Sequence, residues 1–403
     1  MGRAHHRGAG WRAVTPRVVV TGIGAVTSAG LGVGAVLRAL RANEDGLRRL
    51  RRFVSPRCGD FPVGEVGLES NGESRNVVLA RPALFEALSS AGLAAPLGPR
   101  AAFVYGTCVG GMPESEETLA DALLGRPFDP ATYMRHECAA TTAALAAAVG
   151  VEGPTATVSD ACASGAAAIS VAAGWLEDGL ADVVVAGGGD PLCRLTLNGF
   201  ASLLATDPEG CRPFDLDRRG MSLGEGAALF VLERAEDALR RGARVRAELL
   251  GRSDSCDAFH ATAPDPEGRG AEDALRRALA LAGLTPASVD YVNAHGTGTR
   301  ENDRAEGRML ARVFGVAPPP VSSVKRTFGH LLGGAGAIEA VVAVLALECG
   351  LVPGTPGFVT PDPECSVVPV AEPYARPLKN VVSNSFGFGG TNVVLVFSRG
   401  VHA

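Results

Sequence analysis

An internal repeat constrains the fold of this 403-residue chain more than any other feature of its sequence. The repeated segments are helix ends at 91–93 and 282–284, strand ends at 105–107 and 295–299, and Ala-rich helices at 163–180 and 334–351. Because these echoes occur in the same order, they predict a duplicated unit joined near Arg240–Arg244. A pseudo-symmetric pair of this kind places a site where the loops of the two halves meet.

Apolar helical patterns alternate with β-branched runs along the chain, which favours α/β architecture with largely covered sheets. The helical patterns lie at 78–91, 139–149, 163–177, 235–241, 271–282 and 335–347, and the strand candidates at 101–105, 155–159, 181–186, 227–233, 247–251, 289–294 and 393–397. We expect residues 1–16 to be a disordered tail and the folded part to begin at Arg17. The predicted halves are residues 17–242 and 243–403.

Composition excludes several function classes. Hydrophobic residues make up 46% and charged residues 20%, with a net charge of -5, which fits a globular protein without overall nucleic-acid affinity. The nine cysteines are dispersed without CxxC pairs or zinc spacing, so we expect no metal site and reduced thiols in a cytoplasm. The apolar stretches at 139–151 and 340–347 are too short to span a bilayer, so no membrane span is predicted.

Cys162 is the strongest candidate nucleophile. It lies between a predicted short strand, 155–159, and the Ala-rich helix that begins at Ala163. A strand, a sharp turn and a helix expose the residue at the turn, as in the nucleophile elbow of hydrolases. Because the helix N-terminus favours an anion, this position predicts a cysteine that forms a thiolate readily.

Two histidines of the second half lie in Gly-rich turns. His295 ends a strand candidate, and His330 directly precedes the Ala-rich helix that echoes the cysteine helix. The surrounding glycines allow close backbone approach. The duplicated architecture therefore predicts that Cys162, His295 and His330 converge on one cavity.

Seven ordered motifs give the chain a resemblance to a known family, from Arg17 to Phe397. The motifs are Asp160–Gly165, Asn198–Phe200, Arg212–Asp215, Gly224–Ala227, His295–Glu306, Lys325–His330 and Asn384–Asn392. The chain resembles the β-ketoacyl-acyl-carrier-protein synthases, or ketosynthases, of type II fatty-acid and polyketide systems. That resemblance implies a thiolase-like fold, five-layered αβαβα from two pseudo-symmetric halves, in a homodimer or in a heterodimer with a ketosynthase-like partner.

The resemblance also implies a reaction and its residues. Cys162 takes an acyl chain from acyl carrier protein, and the N–H groups of Cys162 and Phe388 form the oxyanion hole. His295 and His330 stabilise the enolate that forms when malonyl carrier protein loses CO2, and Lys325 belongs to the same catalytic set. No cofactor is implied, because the substrates travel on the phosphopantetheine arm of the carrier protein.

The remaining site residues follow from the same resemblance. Thr297 and Thr299 are expected to bind the pantetheine arm, and Phe388 to gate the acyl pocket. Asp303, Glu306 and Glu339 match charged positions around the histidines. From the residues alone, an ion-pair network that fixes the histidine loops and direct proton handling both remain open for these carboxylates and for Lys325.

Three departures from the family pattern stand out. Asp160 replaces a threonine two residues before the nucleophile, where a carboxylate opposes thiolate formation unless it is turned away or paired. Residues 74–78 replace the family's Met-Asp-x-Phe segment, which helps to shape the dimer and the acyl pocket. The segment 204–207 lacks a carrier-contacting arginine. These changes favour a specialised pathway, of polyketide or aryl-polyene type, over fatty-acid elongation.

Three other interpretations compete with this one. Gly22-Ile23-Gly24 after a strand, with Glu44 further on, partly matches a dinucleotide-binding motif, but the third glycine is missing. A thiolase requires a second cysteine where this chain has Phe388-Gly389-Gly390. A catalytically silent, chain-length-setting partner subunit shares the fold but lacks the nucleophile that Cys162 supplies.

Overall fold

The computed structural model describes residues 16–315 and 317–400, so the predicted tail, apart from Pro16, lies outside the described residues. The strands are β1 Val18–Thr27, β2 Gly30–Leu31, β3 Arg48–Arg49, β4 Pro62–Val63, β5 Ala101–Gly106, β6 Thr155–Val158, β7 Val183–Asp190, β8 Gly226–Arg234, β9 Ala247–Cys256, β10 Tyr291–Asn293, β11 Val321–Ser322, β12 Leu351–Val352, β13 Tyr374–Ala375, β14 Asn380–Gly387 and β15 Thr391–Ser398. The helices are α1 Val33–Arg41, α2 Arg75–Ala91, α3 Met112–Leu123, α4 Pro130–Tyr133, α5 Cys138–Ala148, α6 Ser164–Glu177, α7 Arg194–Ser202, α8 Ala235–Arg240, α9 Arg269–Leu281, α10 Arg300–Phe314, α11 Lys325–Phe328 and α12 Ala335–Cys349.

The sheet topology repeats. In the first half the strand order is β1-β8-β7-β5-β6, with antiparallel pairing up to β7 and parallel pairing beyond it. In the second half the order β9-β15-β14-β10-β11 shows the same sequence of antiparallel and parallel pairs. A short antiparallel contact between β1 and β9 joins the two five-stranded arrays. The predicted pseudo-symmetry is therefore confirmed, while the boundary at residues 242 and 243 stays a prediction.

Helices α6 and α12 form the central layer between the two arrays, and α2 and α9 cover the outer faces. The two central helices cross where glycine allows their backbones to meet. A Cβ at Gly165 would lie 2.9 Å from Ala337 Cβ, and a Cβ at Gly336 would lie 2.8 Å from Ala166 Cβ. This reciprocal contact pairs corresponding positions of the two halves and brings the N-termini of both helices to one place, in the predicted αβαβα arrangement.

The partial dinucleotide motif is structural, so that interpretation is wrong. Gly22 and Gly24 lie within β1, directly beneath α2. A Cβ at Gly22 would lie 2.1 Å from the carbonyl oxygen of Ala87, and one at Gly24 would lie 2.0 Å from that of Ala83. The glycines therefore permit close packing of a helix on a strand.

One segment of the described chain, Leu332–Cys349, is long and apolar enough to cross a membrane by length and composition alone. It is longer than the apolar stretch recognised in the sequence. The segment contains α12, and 89% of it is buried inside the fold. Its apolar character is accounted for by its place in the central layer between two sheets.

Candidate active site

Cys162 sits at a sharp turn between β6 and α6, as predicted. Ala161 adopts a left-handed backbone conformation with φ of 46°, which non-glycine residues rarely take. The turn is held by Ser164, whose hydroxyl accepts a hydrogen bond from the Asp160 N–H at 2.8 Å and donates to the Ala161 carbonyl at 2.6 Å. The side chain of Ser164 thus fixes the turn that presents the sulfur two residues before the helix begins.

The thiol of Cys162 is not a ready thiolate, which corrects the expectation from its helix position. Burial raises its pKa to about 12, although the positive charge of Lys325 and the Phe388 N–H act in the opposite direction. The residue is only 6% exposed, so desolvation of the anion outweighs the favourable contacts. Cys162 therefore carries its proton at neutral pH and must lose it as it reacts.

Asp160 does not dominate the electrostatics of the nucleophile. Its carboxyl is half-buried, and burial raises its pKa while the Thr391 side chain lowers it. The carboxylates that contribute most to raising the pKa of Cys162 are Asp190 and Glu339. The departure from the family pattern at Asp160 therefore leaves the sulfur with other charged neighbours of greater effect.

His295 and His330 lie together at the end of β10 and before α12. Their ring centroids are 5.4 Å apart and the rings meet edge to face at 82°. The Leu332 N–H donates to His330 Nδ1 at 3.2 Å, and His330 Nε2 is buried without a partner. This contact assigns the proton of a neutral His330 ring to Nε2, which leaves that N–H free for a ligand.

Lys325 orients the second imidazole. Its ammonium group lies 3.3 Å from His295 Nδ1 and also donates to the His295 carbonyl oxygen and to Glu339. A donor at Nδ1 places the proton of His295 on Nε2, as in His330. Burial, followed by the charge of Lys325, lowers the pKa of both histidines well below the usual value, so both rings are neutral at neutral pH.

The carboxylates of α10 bind backbone rather than imidazole. Glu306 accepts from the N–H groups of His295 at 2.9 Å and Gly296 at 2.8 Å. Asp303 accepts from the N–H groups of Phe214 at 2.7 Å and Gly298 at 3.2 Å, and Arg218 lies 3.4 Å away. These contacts favour the interpretation in which the acidic residues fix the histidine loop.

A cavity of about 460 Å³ brings the candidate residues together. Its walls include the predicted site residues Cys162, His295, His330, Thr297, Thr299 and Phe388. The hydroxyl groups of Thr297 and Thr299 lie 2.9 Å apart, and the ring of Phe388 packs on Phe200 with centroids 5.5 Å apart. Lys325, Asp303, Glu306 and Glu339 lie behind this wall. Within residues 16–315 and 317–400, no cluster of three or more metal-ligating side chains is suited to hold a metal ion.

Sequence reasoning missed several residues that build the site. Asn384 on β14 donates to Glu306 at 3.1 Å, a role that its sequence motif alone does not reveal. Arg218 is fully buried between Asp303 and Asp362. Asp190 ends β7 after three glycines, which is the one sequence signal that pointed to a close backbone approach there.

Comparison with known proteins places the chain in a family. Residues 74–238 match the N-terminal domain of β-ketoacyl synthases, and residues 246–359 match the C-terminal domain. Nodulation protein E of Rhizobium meliloti is 36% identical, covering 95% of this chain and 99% of its own length. The 3-oxoacyl-[acyl-carrier-protein] synthase 2 of Synechocystis sp. is 37% identical, covering 95% of this chain and 98% of its own.

A solved structure of a ketosynthase has the same fold as this chain. The ishigamide ketosynthase/chain length factor superposes with a TM-score of 0.92 at 33% identity, covering 96% of this chain and all of that one. The thiolase-like arrangement expected from the sequence is therefore confirmed. With both domain matches and relatives aligned over nearly the whole length, the chain belongs to the β-ketoacyl synthase family.

Proposed function

We propose that this protein is an acyltransferase that condenses an acyl thioester, held on Cys162, with malonyl-acyl carrier protein. The products are CO2 and 3-oxoacyl-acyl carrier protein. The observation that carries this proposal is the shared cavity, in which one thiol faces two neutral imidazoles with protonated Nε2 atoms. A thiol suits covalent acyl transfer, and paired neutral donors suit an oxyanion.

The first half-reaction is a thioester exchange. The sulfur of Cys162 attacks the acyl carbonyl, the bond to the pantetheine sulfur breaks, and the proton of Cys162 ends on the departing thiol. The Phe388 N–H lowers the pKa of the Cys162 thiol, so we assign this N–H and that of Cys162 to the oxyanion hole. Because the thiol is protonated at rest, proton loss accompanies the attack.

The second half-reaction forms the carbon–carbon bond. Malonyl carrier protein loses CO2, and the enolate oxygen accepts hydrogen bonds from Nε2–H of His295 and His330. The enolate carbon then attacks the acyl-Cys162 carbonyl, the carbon–sulfur bond breaks, and the Cys162 thiolate that leaves takes up one proton from water. Lys325 holds the ring of His295 by its contact at Nδ1, while Glu339 pairs with Lys325. The departure of CO2 supplies the driving force, so the reaction needs no resident cofactor.

The other wall residues bind the arm that delivers the substrates. Thr297 and Thr299 present neighbouring hydroxyl groups to the cavity, and we assign them to the pantetheine arm. We assign Phe388, which packs on Phe200, to the entrance of the acyl pocket. Asp303 and Glu306 accept hydrogen bonds from the backbone of the loop that carries the two threonines, and so keep this loop in place.

We propose two partners for this protein. The chemistry requires acyl carrier protein, and the second partner is another ketosynthase-like subunit. The relatives include a 3-oxoacyl-[acyl-carrier-protein] synthase, and a similar structure pairs a ketosynthase with a chain length factor. Strand β6 forms one edge of the sheet, with an exposed Thr155, which leaves backbone groups available for a partner strand. We place the protein in the cytoplasm, in a fatty-acid or polyketide-type pathway.

Intact-protein mass spectrometry tests the assignment. The protein is incubated with acyl carrier proteins that carry short, long and aromatic acyl groups. We expect a mass increase of one acyl group on the wild type and none on Cys162→Ala. No increase with any acyl group on folded protein would contradict the proposal and favour a silent partner subunit.

A further inference from the structure

Asp190 is a fully buried carboxylate at the end of β7, beside the site but outside its wall. Burial raises its pKa, and its own hydrogen bonds act against this shift. In the part of the chain that the structure describes, no lysine or arginine forms an ion pair with it. A buried carboxylate without a cation must be stabilised by hydrogen-bond donors.

The donors come from both halves of the chain. Asp190 Oδ1 accepts from the Val109 N–H at 2.9 Å and from the Thr107 hydroxyl. Asp190 Oδ2 accepts from the Gly333 N–H at 2.7 Å and from the Cys108 thiol at 3.0 Å. The Cys108 N–H reaches both oxygens, at 3.2 and 3.1 Å. Asp190 therefore joins the loop after β5 to the turn before α12.

A buried chain of polar groups directs the hydroxyl proton of Thr107 toward Asp190. Tyr105 donates its hydroxyl proton to Asn76 Oδ1 at 2.8 Å, and Asn76 Nδ2 donates to the Thr107 hydroxyl at 3.0 Å. With these contacts made, Thr107 donates its own proton to the carboxylate. The whole arrangement supplies donors and therefore suits an ionised Asp190.

The turn that Asp190 holds also orients His330. Gly333 directly follows Leu332, whose N–H donates to His330 Nδ1 at 3.2 Å. Leu332 has a φ of 49°, a left-handed conformation that requires support from its surroundings. The Asp190–Gly333 hydrogen bond supplies support one residue away.

We propose that Asp190 is a positioning residue for the decarboxylation step, because it fixes the 332–334 turn whose N–H holds the His330 ring with Nε2–H facing the substrate. This inference rests on the proposed function. It assigns Asp190 no contact with substrate. The inference predicts different effects on the two half-reactions, because His330 serves decarboxylation and the Cys162 sulfur serves acyl transfer.

Asp190→Asn tests the role with little change in shape. An amide can keep its oxygen toward Thr107 and Val109 only by turning its NH2 group toward the Gly333 N–H, which then loses its acceptor. We expect kcat for malonyl-carrier-protein decarboxylation to fall about 10- to 100-fold with KM little changed, as for misplaced catalytic groups. Alkylation of Cys162 by iodoacetamide should instead become faster, because Asp190 raises the pKa of that thiol.

A second variant reaches the same contact from the other side. A Cβ at Gly333 would lie 2.7 Å from Asp190 Oδ2 and 2.9 Å from the Cys108 N atom, so Gly333→Ala should displace the carboxylate while keeping its charge. We expect a similar loss of decarboxylation without faster alkylation. The matched control is Cys108→Ala, which removes a donor to Asp190 but leaves Gly333 bonded, and should decarboxylate within about twofold of wild type.

The outcomes separate the possibilities. The proposal is overturned if either folded variant, Asp190→Asn or Gly333→Ala, decarboxylates at the wild-type rate. It is also overturned if the acylation and decarboxylation rates of either variant fall in parallel. If the wild type itself does not decarboxylate malonyl carrier protein, the proposed function fails instead. The role of Asp190 is then read from ¹⁵N NMR of His330, whose Nδ1 must be unprotonated in wild type and partly protonated in the variants. An unchanged His330 spectrum in the variants overturns the inference.

Discussion

Replacing Lys325 by methionine tests whether the charged residues behind the histidines serve chemistry or only folding. Lys325 and Glu339 are each 2% exposed and form a direct ion pair. The second oxygen of Glu339 has no hydrogen-bond partner. Lys325→Met therefore leaves a buried carboxylate with no compensating group, and also frees His295 Nδ1 from its donor.

The magnitude follows from the titration of Glu339. Burial raises its pKa to about 7, even with Lys325 lowering it by charge and hydrogen bonding. A folded pKa above the unfolded value makes the protein less stable as pH rises between the two values. In wild type this loss of stability ends near pH 7. In Lys325→Met the pKa of Glu339 is higher, because Lys325 no longer lowers it, so the loss of stability continues above pH 7. At about 1.4 kcal/mol per pH unit, the variant loses at most about 2 kcal/mol more than wild type between pH 7 and pH 8.5.

Urea unfolding at pH 6.5, 7 and 8.5, at a fixed protein concentration, measures this widening difference. The double variant Lys325→Met/Glu339→Gln removes the unpaired charge, so it should regain most of the lost stability while condensation stays impaired. Arg100→Met is the matched control, because it breaks an exposed pair with Asp182 and should leave the stability almost unchanged at every pH.

Two results would refute this reasoning. A stability difference between Lys325→Met and wild type that is constant from pH 7 to pH 8.5 would mean that Glu339 does not carry the unpaired charge. A stable double variant that condenses at the wild-type rate would mean that the pair serves only folding.

Three further predictions concern the thiol, the imidazoles and the central helices. The alkylation rate of Cys162 should rise about tenfold per pH unit from pH 7 to pH 10, because its pKa is about 12; a plateau below pH 9 would contradict this. Malonyl-carrier-protein decarboxylation should stay constant as pH falls to 6.5, because burial keeps the pKa values of His295 and His330 well below that; a midpoint near 6.5 would contradict it. Gly336→Val should destabilise the protein to urea by about 3 kcal/mol, since its Cβ would lie 2.7 Å from Ser385 Oγ and 2.8 Å from Ala166 Cβ. By contrast, a Cβ at Gly174 would meet only Arg252, at 3.6 Å, so Gly174→Ala should stabilise the protein by about 0.5 kcal/mol. Equal effects of the two changes would show that the crossing of the central helices is not tightly packed.

Much of the fold was predictable because apolar patterns match burial along most elements. The helix predicted at 163–177 is observed at Ser164–Glu177, and the one predicted at 335–347 continues to Cys349. Both are Ala-rich helices of the central layer, where small side chains let two backbones approach. The repeat was visible in sequence because the same packing constraint acts twice.

Two of the elements that the sequence did not predict bury polar side chains at the site. Helix α10, Arg300–Phe314, has seven charged residues among its fifteen, yet Asp303 and Glu306 point inward to bind loop backbone. Strand β14, Asn380–Gly387, buries Ser383, Asn384 and Ser385. An alternation of apolar and polar residues cannot reveal elements whose polar face is the buried one.

The sequence predicted which residues form the site but not their pKa values. Cys162, His295 and His330 line one cavity, as the sequence indicated. The pKa of Cys162 depends on how completely the fold buries the sulfur, which no local pattern reports. The contacts of Asp190 join residues 82 and 143 positions apart in the chain, so they too become visible only in three dimensions.

The variant Cys162→Gln tests most directly whether thiol and imidazoles divide the reaction between them. Its decarboxylation of malonyl carrier protein and its formation of 3-oxoacyl product are measured side by side with wild type. We predict that decarboxylation persists, because His295 and His330 keep their Nε2–H groups, and that condensation is abolished. A well-folded Cys162→Gln variant that has lost decarboxylation, or that still condenses, would contradict the account.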